Sequence, residues 1–173
     1  MDRHGYWQYS LTFLLTVKFI LLSFTVCTDP GFMKSSEAVP FLELVKKFEP
    51  DYLCPSCEIL CTEDSRHCLV CNRCVERLDH HCTWINVCIG LKNHAYFFAW
   101  ACLFACYLIQ LTLFCFSHIS HAGLGARANP VLFELTVVSN LLISLLFLPF
   151  VLVVVYMQIN HFLRGTTLNQ THS

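Results

Sequence analysis

Charged residues are scarce in this sequence, because Asp, Glu, Lys and Arg together make up only 13% of its 173 residues. That is about half the share expected of a soluble domain. The charges also nearly balance, with a net charge of -1, so charge alone indicates no nucleic-acid partner. Hydrophobic residues reach 55% and lie in long runs, more than a soluble chain of this length could bury. The sequence therefore predicts a protein that lies partly in a lipid bilayer.

Three apolar runs approach or exceed the length of a transmembrane helix, which needs roughly 17–25 residues. We predict spans at residues 1–28, 96–117 and 132–160. Lys18 lies in the middle of the first run. A charged residue at the centre of a membrane helix raises the free energy of insertion by about 2.5–3.5 kcal/mol, and the surrounding apolar residues offset this cost. A signal peptide is the alternative for this run, but a small-residue cleavage site is missing. The predicted fold class is an α-helical integral membrane protein with three spans and a cysteine-rich domain between the first two.

Basic residues are distributed unevenly between the connecting segments. Seven lie between the first two spans: Lys34, Lys46, Lys47, Arg66, Arg73, Arg77 and Lys92. The predicted loop at 118–131 contains only Arg127. The positive-inside rule therefore places the cysteine-rich domain and the tail at 161–173 in the cytosol, and the loop at 118–131 on the exoplasmic side. The cytosol also keeps thiols reduced.

Cysteine is concentrated in a predicted domain at 51–97, which follows a linker at 29–50. Eight of the twelve cysteines fall between Cys54 and Cys88, in C-x2-C pairs interleaved with three histidines. Disulfide frameworks do not need histidine, whereas structural zinc takes four Cys or His ligands. Two ions would use eight of these eleven groups, and metal would supply part of the folding energy. The alternative is a set of unrelated buried or palmitoylated thiols. We expect no internal repeat.

The string Asp79-His80-His81-Cys82 could supply an activated thiol. If one histidine binds zinc, the other is left beside a free cysteine, with an aspartate to orient it. A free thiol has a pKa of about 8.5 and is only a few per cent ionised at neutral pH, so a histidine that takes the proton raises the reactive fraction. His80 and Cys82 share a face if the segment is extended. In the competing interpretation all these residues are extra ligands or structural polar groups.

One spaced series of residues runs through the block: Cys54, Cys57, His67, Cys68, Cys71, Cys74, Asp79, His80, His81, Cys82, Trp84, Cys88, Gly90, Asn93 and Phe97. This series resembles the DHHC family of protein S-acyltransferases. Asp29-Pro30-Gly31 is similar to the family's DPG motif after a span, and Thr166-Thr167 to the start of its TTxE motif after the last span. The resemblance covers nearly the whole chain in the family's order, and its central motif is highly specific.

The resemblance implies two structural Zn²⁺ ions with interleaved ligands. One set would be Cys54, Cys57, His67 and Cys74, and the other Cys68, Cys71, His81 and Cys88. Cys82 is then the nucleophile, with His80 as its base and Asp79 as the group that orients His80. The implied reaction has two steps, in which Cys82 takes an acyl group from palmitoyl-CoA and passes it to a cysteine of a substrate protein at the cytosolic face. Trp84 would lie near the acyl-CoA.

The sequence departs from the family at several positions. The family usually has four spans, and the missing one would precede the first run, as in a truncated gene product or a three-span form. Cys61-Thr62-Glu63-Asp64 stands where a basic Lys-Pro-x-Arg segment is usual, and we expect Arg66 to replace part of its contact with CoA phosphates. Thr83 replaces a proline, and Asn169 stands in place of the TTxE glutamate.

These features leave an active acyltransferase as the main hypothesis, expected in the membrane of the Golgi or endoplasmic reticulum. The alternative is a catalytically impaired, zinc-braced membrane scaffold or a truncated family member. A membrane RING-type ubiquitin ligase ranks far behind both, because its ligand spacing does not fit this block.

Overall fold

The computed structural model describes residues 3–35, 39–122 and 130–164. Four α-helices lie in this part of the chain: α1 (Arg3–Cys27), α2 (Phe41–Lys47), α3 (His94–Ala122) and α4 (Pro130–Arg164). Within the described residues, three segments are long and apolar enough to cross a membrane: Tyr6–Cys27, His94–Ile119 and Glu134–Asn160. The prediction of three membrane helices is confirmed.

Two of the long helices, α3 and α4, extend beyond the ends of the predicted spans. α3 continues to Ala122 and α4 begins at Pro130, so helix includes both ends of the segment predicted as a loop at 118–131. Backbone hydrogen bonding carries a helix past the last apolar residue, which hydropathy alone does not register. Arg127 and the motif residues Thr166, Thr167 and Asn169 lie outside the described residues.

By their contacts, the described residues divide into a helical unit, drawn from Met1–Leu21 and Phe98–Asn160, and a second unit, drawn from Leu22–Phe97 and His161–Ser173. In the helical unit, Ala105 and Leu108 of α3 form a buried cluster with Val151 of α4. The Gln110 side chain of α3 also donates a hydrogen bond to Ser10 Oγ of α1. Apolar and polar contacts of this kind are typical of packed membrane helices.

Lys18, the charged residue within the first span, lies against aromatic rings of α3. Its Nζ is 4.5 Å from the ring centroid of Phe104 and 4.7 Å from that of Tyr107. The negative face of an aromatic ring attracts a cation, most strongly where water is excluded. These contacts offset part of the insertion cost of Lys18, and they could not be read from the sequence of α1 alone.

Three short antiparallel hairpins build the second unit between residues 53 and 89. The first hairpin pairs β1 (Leu53–Cys54) with β2 (Ile59–Leu60), the second pairs β3 (Arg66–Cys68) with β4 (Arg73–Val75), and the third pairs β5 (His80–Cys82) with β6 (Val87–Ile89). A 3-10 turn at Pro50–Tyr52 precedes them. Strands of two or three residues bury little apolar surface, so the hairpins need another source of stability.

The hairpins repeat at an interval of 14 residues, so the expectation of no internal repeat is wrong. The pair Leu53↔Leu60 of the first hairpin is followed by His67↔Cys74 in the second and His81↔Cys88 in the third. Each hairpin turn contains a residue with positive φ at the same place, namely Glu58, Asn72 and Asn86. Strand pairing, ligand spacing and turn geometry repeat, and none of them produces the apolar periodicity by which repeats are recognised in a sequence.

The DPG segment anchors the end of α1 to the hairpins. Asp29 Oδ1 accepts hydrogen bonds from the backbone N–H groups of Gly31 and Phe32, both at 2.9 Å, and these bonds lower the pKa of Asp29. Glu76 N–H donates to Gly31 O at 2.9 Å. A Cβ at Gly90 would lie 2.6 Å from Pro30 O, so only glycine allows this close approach.

Asn93 joins three elements through one buried side chain. Its Oδ1 accepts a hydrogen bond from Gly90 N–H at 2.9 Å. Its Nδ2 donates to Thr25 O of α1 at 3.1 Å and to Cys88 O of β6 at 2.9 Å. The end of α1, the third hairpin and the start of α3 are therefore held together, and these are the elements that surround Asp79-His80-His81-Cys82.

Candidate metal centres and candidate nucleophile

One cluster that could hold a metal ion, the first metal centre, consists of Cys54, Cys57, His67 and Cys74, and its ligand atoms all lie within 4.8 Å of one another. Cys54 ends β1 and Cys57 lies in the turn of the first hairpin, whereas His67 and Cys74 face each other across the second hairpin. His67 Nδ1 lies 3.4 Å from Cys54 Sγ, 3.3 Å from Cys57 Sγ and 3.7 Å from Cys74 Sγ.

The second metal centre repeats this arrangement one interval later, with Cys68, Cys71, His81 and Cys88. His81 Nδ1 lies 3.7 Å from Cys68 Sγ, 3.4 Å from Cys71 Sγ and 3.5 Å from Cys88 Sγ. The other ring nitrogen of His81, Nε2, lies 3.4 Å from Asn86 Oδ1. Such a partner fixes the ring orientation of a metal-binding histidine.

Both centres have the size of a tetrahedral zinc site. Zn–S bonds of about 2.3 Å and Zn–N bonds of about 2.0–2.1 Å place neighbouring ligand atoms about 3.5–3.8 Å apart. The His-to-Cys distances of both centres, 3.3–3.7 Å, match that spacing. All twelve cysteines lie in the described part of the chain, and all are free. Among the described residues these two clusters can hold metal ions, and they are the two sets that the resemblance implies.

Cys82 occupies a ligand position of the repeat without being in either centre. It stands 14 residues after Cys68 and 28 after Cys54, but Ile85 stands where Cys57 and Cys71 supply the second thiol. The backbone N–H groups of the turn still point at the sulfur. Those of Trp84 and Ile85 bond to Cys82, as those of Val70 and Cys71 bond to Cys68. Cys82 therefore keeps the thiolate-binding turn but lacks the partner cysteine.

Asp79, His80 and Cys82 form a connected row at the start of the third hairpin. His80 donates from Nδ1 to Asp79 Oδ2 at 3.0 Å, and the Asp79 side chain is only 1% exposed. His80 also hydrogen bonds with the Cys82 side chain. The His80 ring packs edge-on against Phe97 of α3, with the ring centroids 5.3 Å apart. Because Asp79 occupies Nδ1, Nε2 is the ring nitrogen left for the thiol.

This row favours an ionised thiol. Burial opposes charge on both groups, but hydrogen bonds to Asp79 and Cys82 outweigh it and raise the pKa of His80 to about 9. Burial likewise opposes ionisation of Cys82, yet the hydrogen bonds from His80 and from the backbone N–H of Ile85 lower its pKa. Both shifts favour a thiolate beside an imidazolium, which is the form in which a cysteine is nucleophilic.

A second histidine approaches the same carboxylate, and no pattern in the sequence predicts it. His94 Nε2, in the first turn of α3, lies 3.9 Å from Asp79 Oδ2. Asp79 thus has an imidazole on two sides. No spacing rule links a residue at the start of a membrane helix to one in a hairpin 15 positions earlier, so only the folded chain could indicate this contact.

Two further residues named from the resemblance have clear positions. Trp84 follows Cys82 in the third hairpin, and its side chain is 63% exposed, so it is accessible to a ligand. Arg66 donates to the backbone carbonyls of Glu63 and Ser65 at 2.7 and 2.8 Å. It lines a cavity of about 560 Å³ together with Cys54 and His67 of the first metal centre and with the neighbouring Cys61. Arg66 therefore braces its own loop.

Comparisons with known proteins agree on one family. A family model described as DHHC palmitoyltransferase matches residues 47–173. Palmitoyltransferase Hip14 of Drosophila melanogaster is 40% identical over 114 residues, which is 56% of this chain and 18% of that protein. Palmitoyltransferase ZDHHC4 of Rattus norvegicus is 33% identical over 132 residues, 74% of this chain and 35% of that protein. Palmitoyltransferase ZDHHC7 of the same species is 35% identical over 94 residues, 53% of this chain and 30% of that protein.

The matched regions are only part of each relative. The chain spans 18–35% of the length of these three proteins. The family match at 47–173 begins near the end of the linker and includes both metal centres and Cys82.

Proposed function

The chain belongs to the DHHC palmitoyltransferase family, and we propose that it moves a long-chain acyl group from acyl-CoA to Cys82 and then to cysteines of substrate proteins. The observation that carries this proposal is the row Asp79–His80–Cys82, in which the thiol keeps a thiolate-binding turn and is not in either metal centre. Zn²⁺ in the two centres would supply folding energy to the hairpins.

In the first step, the Cys82 thiolate attacks the thioester carbonyl carbon of acyl-CoA. The carbon–sulfur bond to CoA breaks, and CoA leaves as a thiol with the proton that His80 held. Asp79, bonded to His80 Nδ1 at 3.0 Å, keeps Nε2 directed at the reacting sulfur throughout. The product is a thioester on Cys82, so the step exchanges one thioester for another.

In the second step, the thiol of a substrate cysteine gives its proton to neutral His80 and attacks the same carbonyl carbon. Cys82 leaves as a thiolate, which the imidazolium and the backbone N–H groups of Trp84 and Ile85 stabilise. General acid–base catalysis by a positioned side chain contributes about 10²–10⁴-fold to rates of this kind. The enzyme therefore returns to the state from which it began.

Substrate proteins would approach from the cytosol. The seven basic residues between the first two spans support this orientation, as do the free thiols of the hairpins. We propose palmitoyl-CoA as the acyl donor because the relatives carry the name palmitoyltransferase.

A zinc-braced scaffold that transfers nothing is the second candidate function. The segment at 61–64 is neutral to acidic, and Arg66 is bonded to carbonyls of its own loop. Both observations leave the CoA phosphates with fewer cationic partners than the resemblance implies. This candidate predicts intact metal centres without acyl transfer.

Labelled palmitoyl-CoA separates the two functions. The protein is purified in detergent, incubated with the label and tested for a hydroxylamine-sensitive adduct. An acyltransferase takes up label in the wild type and not in Cys82→Ser. Cys27→Ser, which removes an exposed thiol at the end of α1, is the control and keeps the label. Zinc-replete, folded wild-type protein that takes up no label would establish the scaffold instead.

A further inference from the structure

Cys61 is a fourth thiol beside the first metal centre, in addition to those of Cys54, Cys57 and Cys74. It follows β2 directly, and its backbone N–H donates to Tyr52 O at 2.7 Å, which fixes it against the first hairpin. Its side chain packs on the buried cluster of Cys54, Ile59 and Cys74. The centre therefore has one more candidate ligand than a tetrahedral ion can use.

The distance from Cys61 to its neighbour fits a shared ion. Cys61 Sγ lies 4.0 Å from Cys74 Sγ, whereas two thiolates on one tetrahedral zinc ion lie about 3.8 Å apart. With Cys61 as a ligand, the first hairpin and the residue after it would provide three thiolates, from Cys54, Cys57 and Cys61. The ligand that Cys61 would replace, His67, belongs to β3. A turn in which Ser65 N–H donates to Thr62 O at 3.0 Å separates Cys61 from β3, so the histidine can leave without disturbing the first hairpin.

The second metal centre has no such thiol. The residue one interval after Cys61 is Val75, which is fully buried beside Cys68 and Cys88. The two centres have the same ligand spacing and differ at this position, so each serves as a control for the other.

We propose that Cys61 is an exchangeable ligand of the first metal centre, which replaces His67 and gives a thiophilic ion such as Zn²⁺ four thiolates. On exchange, Cys61 releases its thiol proton to water and binds as a thiolate, while His67 leaves as a neutral imidazole. No oxidation state changes. Soft thiolate ligands suit zinc and softer ions. The inference concerns metal retention and does not depend on acyl transfer, so either can fail without the other.

Zinc content of histidine variants tests the exchange. His67→Ala and His81→Ala are purified as full chains in detergent with a reducing agent, and zinc is measured in the monodisperse fraction. His67→Ala keeps the metal of both centres, because Cys61 takes over. His81→Ala loses the metal of the second centre, and the double variant His67→Ala, Cys61→Val loses that of the first. Equal loss from His67→Ala and His81→Ala would overturn the proposal.

A second measurement covers the case in which His67→Ala does not fold. Zinc release to an excess of chelator is followed in the wild type and in Cys61→Val, which makes the first centre resemble the second. Zinc release from the first centre is faster in Cys61→Val, on the order of tenfold. The variant has no thiolate at position 61 to hold the ion when His67 dissociates from it. Identical release rates would contradict an exchangeable ligand.

Cobalt-loaded His67→Ala, where it folds, shows an undiminished thiolate-to-metal charge-transfer band. A band weakened to the level of the double variant would contradict the exchange.

Discussion

The second and third hairpins share a backbone and differ in what their turns hold. The turn of the second hairpin presents Cys68 and Cys71 to a metal centre that the third hairpin completes with His81 and Cys88. The turn of the third hairpin presents Cys82 alone, with Ile85 in place of the second thiol, and α3 follows where a further hairpin would be needed. Cys82 is thus the first ligand of a centre that the chain does not complete.

The comparison indicates how a structural cysteine becomes a nucleophile. Backbone N–H groups lower the pKa of Cys68 against the effect of burial, and equivalent N–H groups do the same for Cys82. A metal ion in the second centre would neutralise a thiolate at Cys68, whereas the described group that would neutralise one at Cys82 is His80, held by Asp79. Losing one cysteine while keeping the turn leaves a stabilised and unliganded thiolate.

Substituting the equivalent cysteines should give the largest difference. Cys68→Ala removes a ligand of the second metal centre, and because structural zinc supplies about 10–16 kcal/mol in small domains, the hairpins should unfold. Cys82→Ser should leave zinc content and fold unchanged while abolishing acylation. Metal analysis, circular dichroism and labelling with palmitoyl-CoA measure the three effects. Zinc loss in Cys82→Ser would show that Cys82 is a ligand.

The residues that precede β3 and β5 provide the next test. Asp79 and Ser65 stand one interval apart and are both buried, but Ser65 Oγ bonds only locally, to Thr62 O at 2.9 Å. Asp79→Asn should slow acylation of Cys82 by about 10²–10⁴-fold, because His80 loses the group that orients it. Ser65→Ala should cost about 1 kcal/mol of stability and leave the rate unchanged. Single-turnover kinetics with acyl-CoA decide the matter, and equal rates in the two variants would remove Asp79 from the mechanism.

Completing the third turn should convert the nucleophile towards a ligand. Ile85→Cys restores a C-x2-C pair beside His80, and such a site prefers soft ions. Added Cd²⁺ should then block labelling of the variant reversibly, at concentrations that leave the wild type active. If cadmium inhibited both proteins equally, the third turn would not share the ligand geometry of the other two.

The turn residues with positive φ should show the smallest effect. Glu58 has φ 53°, and Asn72 has φ 50° at the equivalent place. Glycine relieves the strain of a left-handed conformation, which asparagine tolerates better than glutamate. Glu58→Gly should raise the free energy of unfolding by about 0.5–1 kcal/mol, and Asn72→Gly should change it little. Thermal unfolding of the zinc-loaded protein measures the difference, and a loss of stability in Glu58→Gly would contradict the shared turn.

The three spans and the two ligand sets could be anticipated because each rests on a local pattern. A span needs only a long apolar run, as in Glu134–Asn160. A ligand set needs spacing, such as Cys54-x2-Cys57, and the family resemblance supplied the division that spacing left open. The interval of 14 residues between hairpins was visible in the same cysteines and histidines, but strands as short as Leu53–Cys54 have no periodicity of their own.

Contacts between distant segments could not be anticipated. Asn93 bonds to Thr25 O, 68 positions earlier in the chain, and His94 approaches Asp79 from the next helix. Arg66 was expected to meet CoA phosphates, a role that remains a prediction, but in the structure its donors bond to Glu63 O and Ser65 O. Each of these contacts depends on how the hairpins and the helix ends pack. Composition and spacing do not describe that packing.

The central claim is that Cys82 can be acylated while both metal centres stay intact. Native mass spectrometry tests it most directly. The detergent-solubilised protein is exposed to palmitoyl-CoA, weighed and then fragmented. We predict that one molecule retains an ion in each of its two centres and carries a single acyl group on Cys82. Acylation of Cys82 accompanied by loss of a metal ion would contradict the account, and so would an acyl group on one of the eight ligand residues.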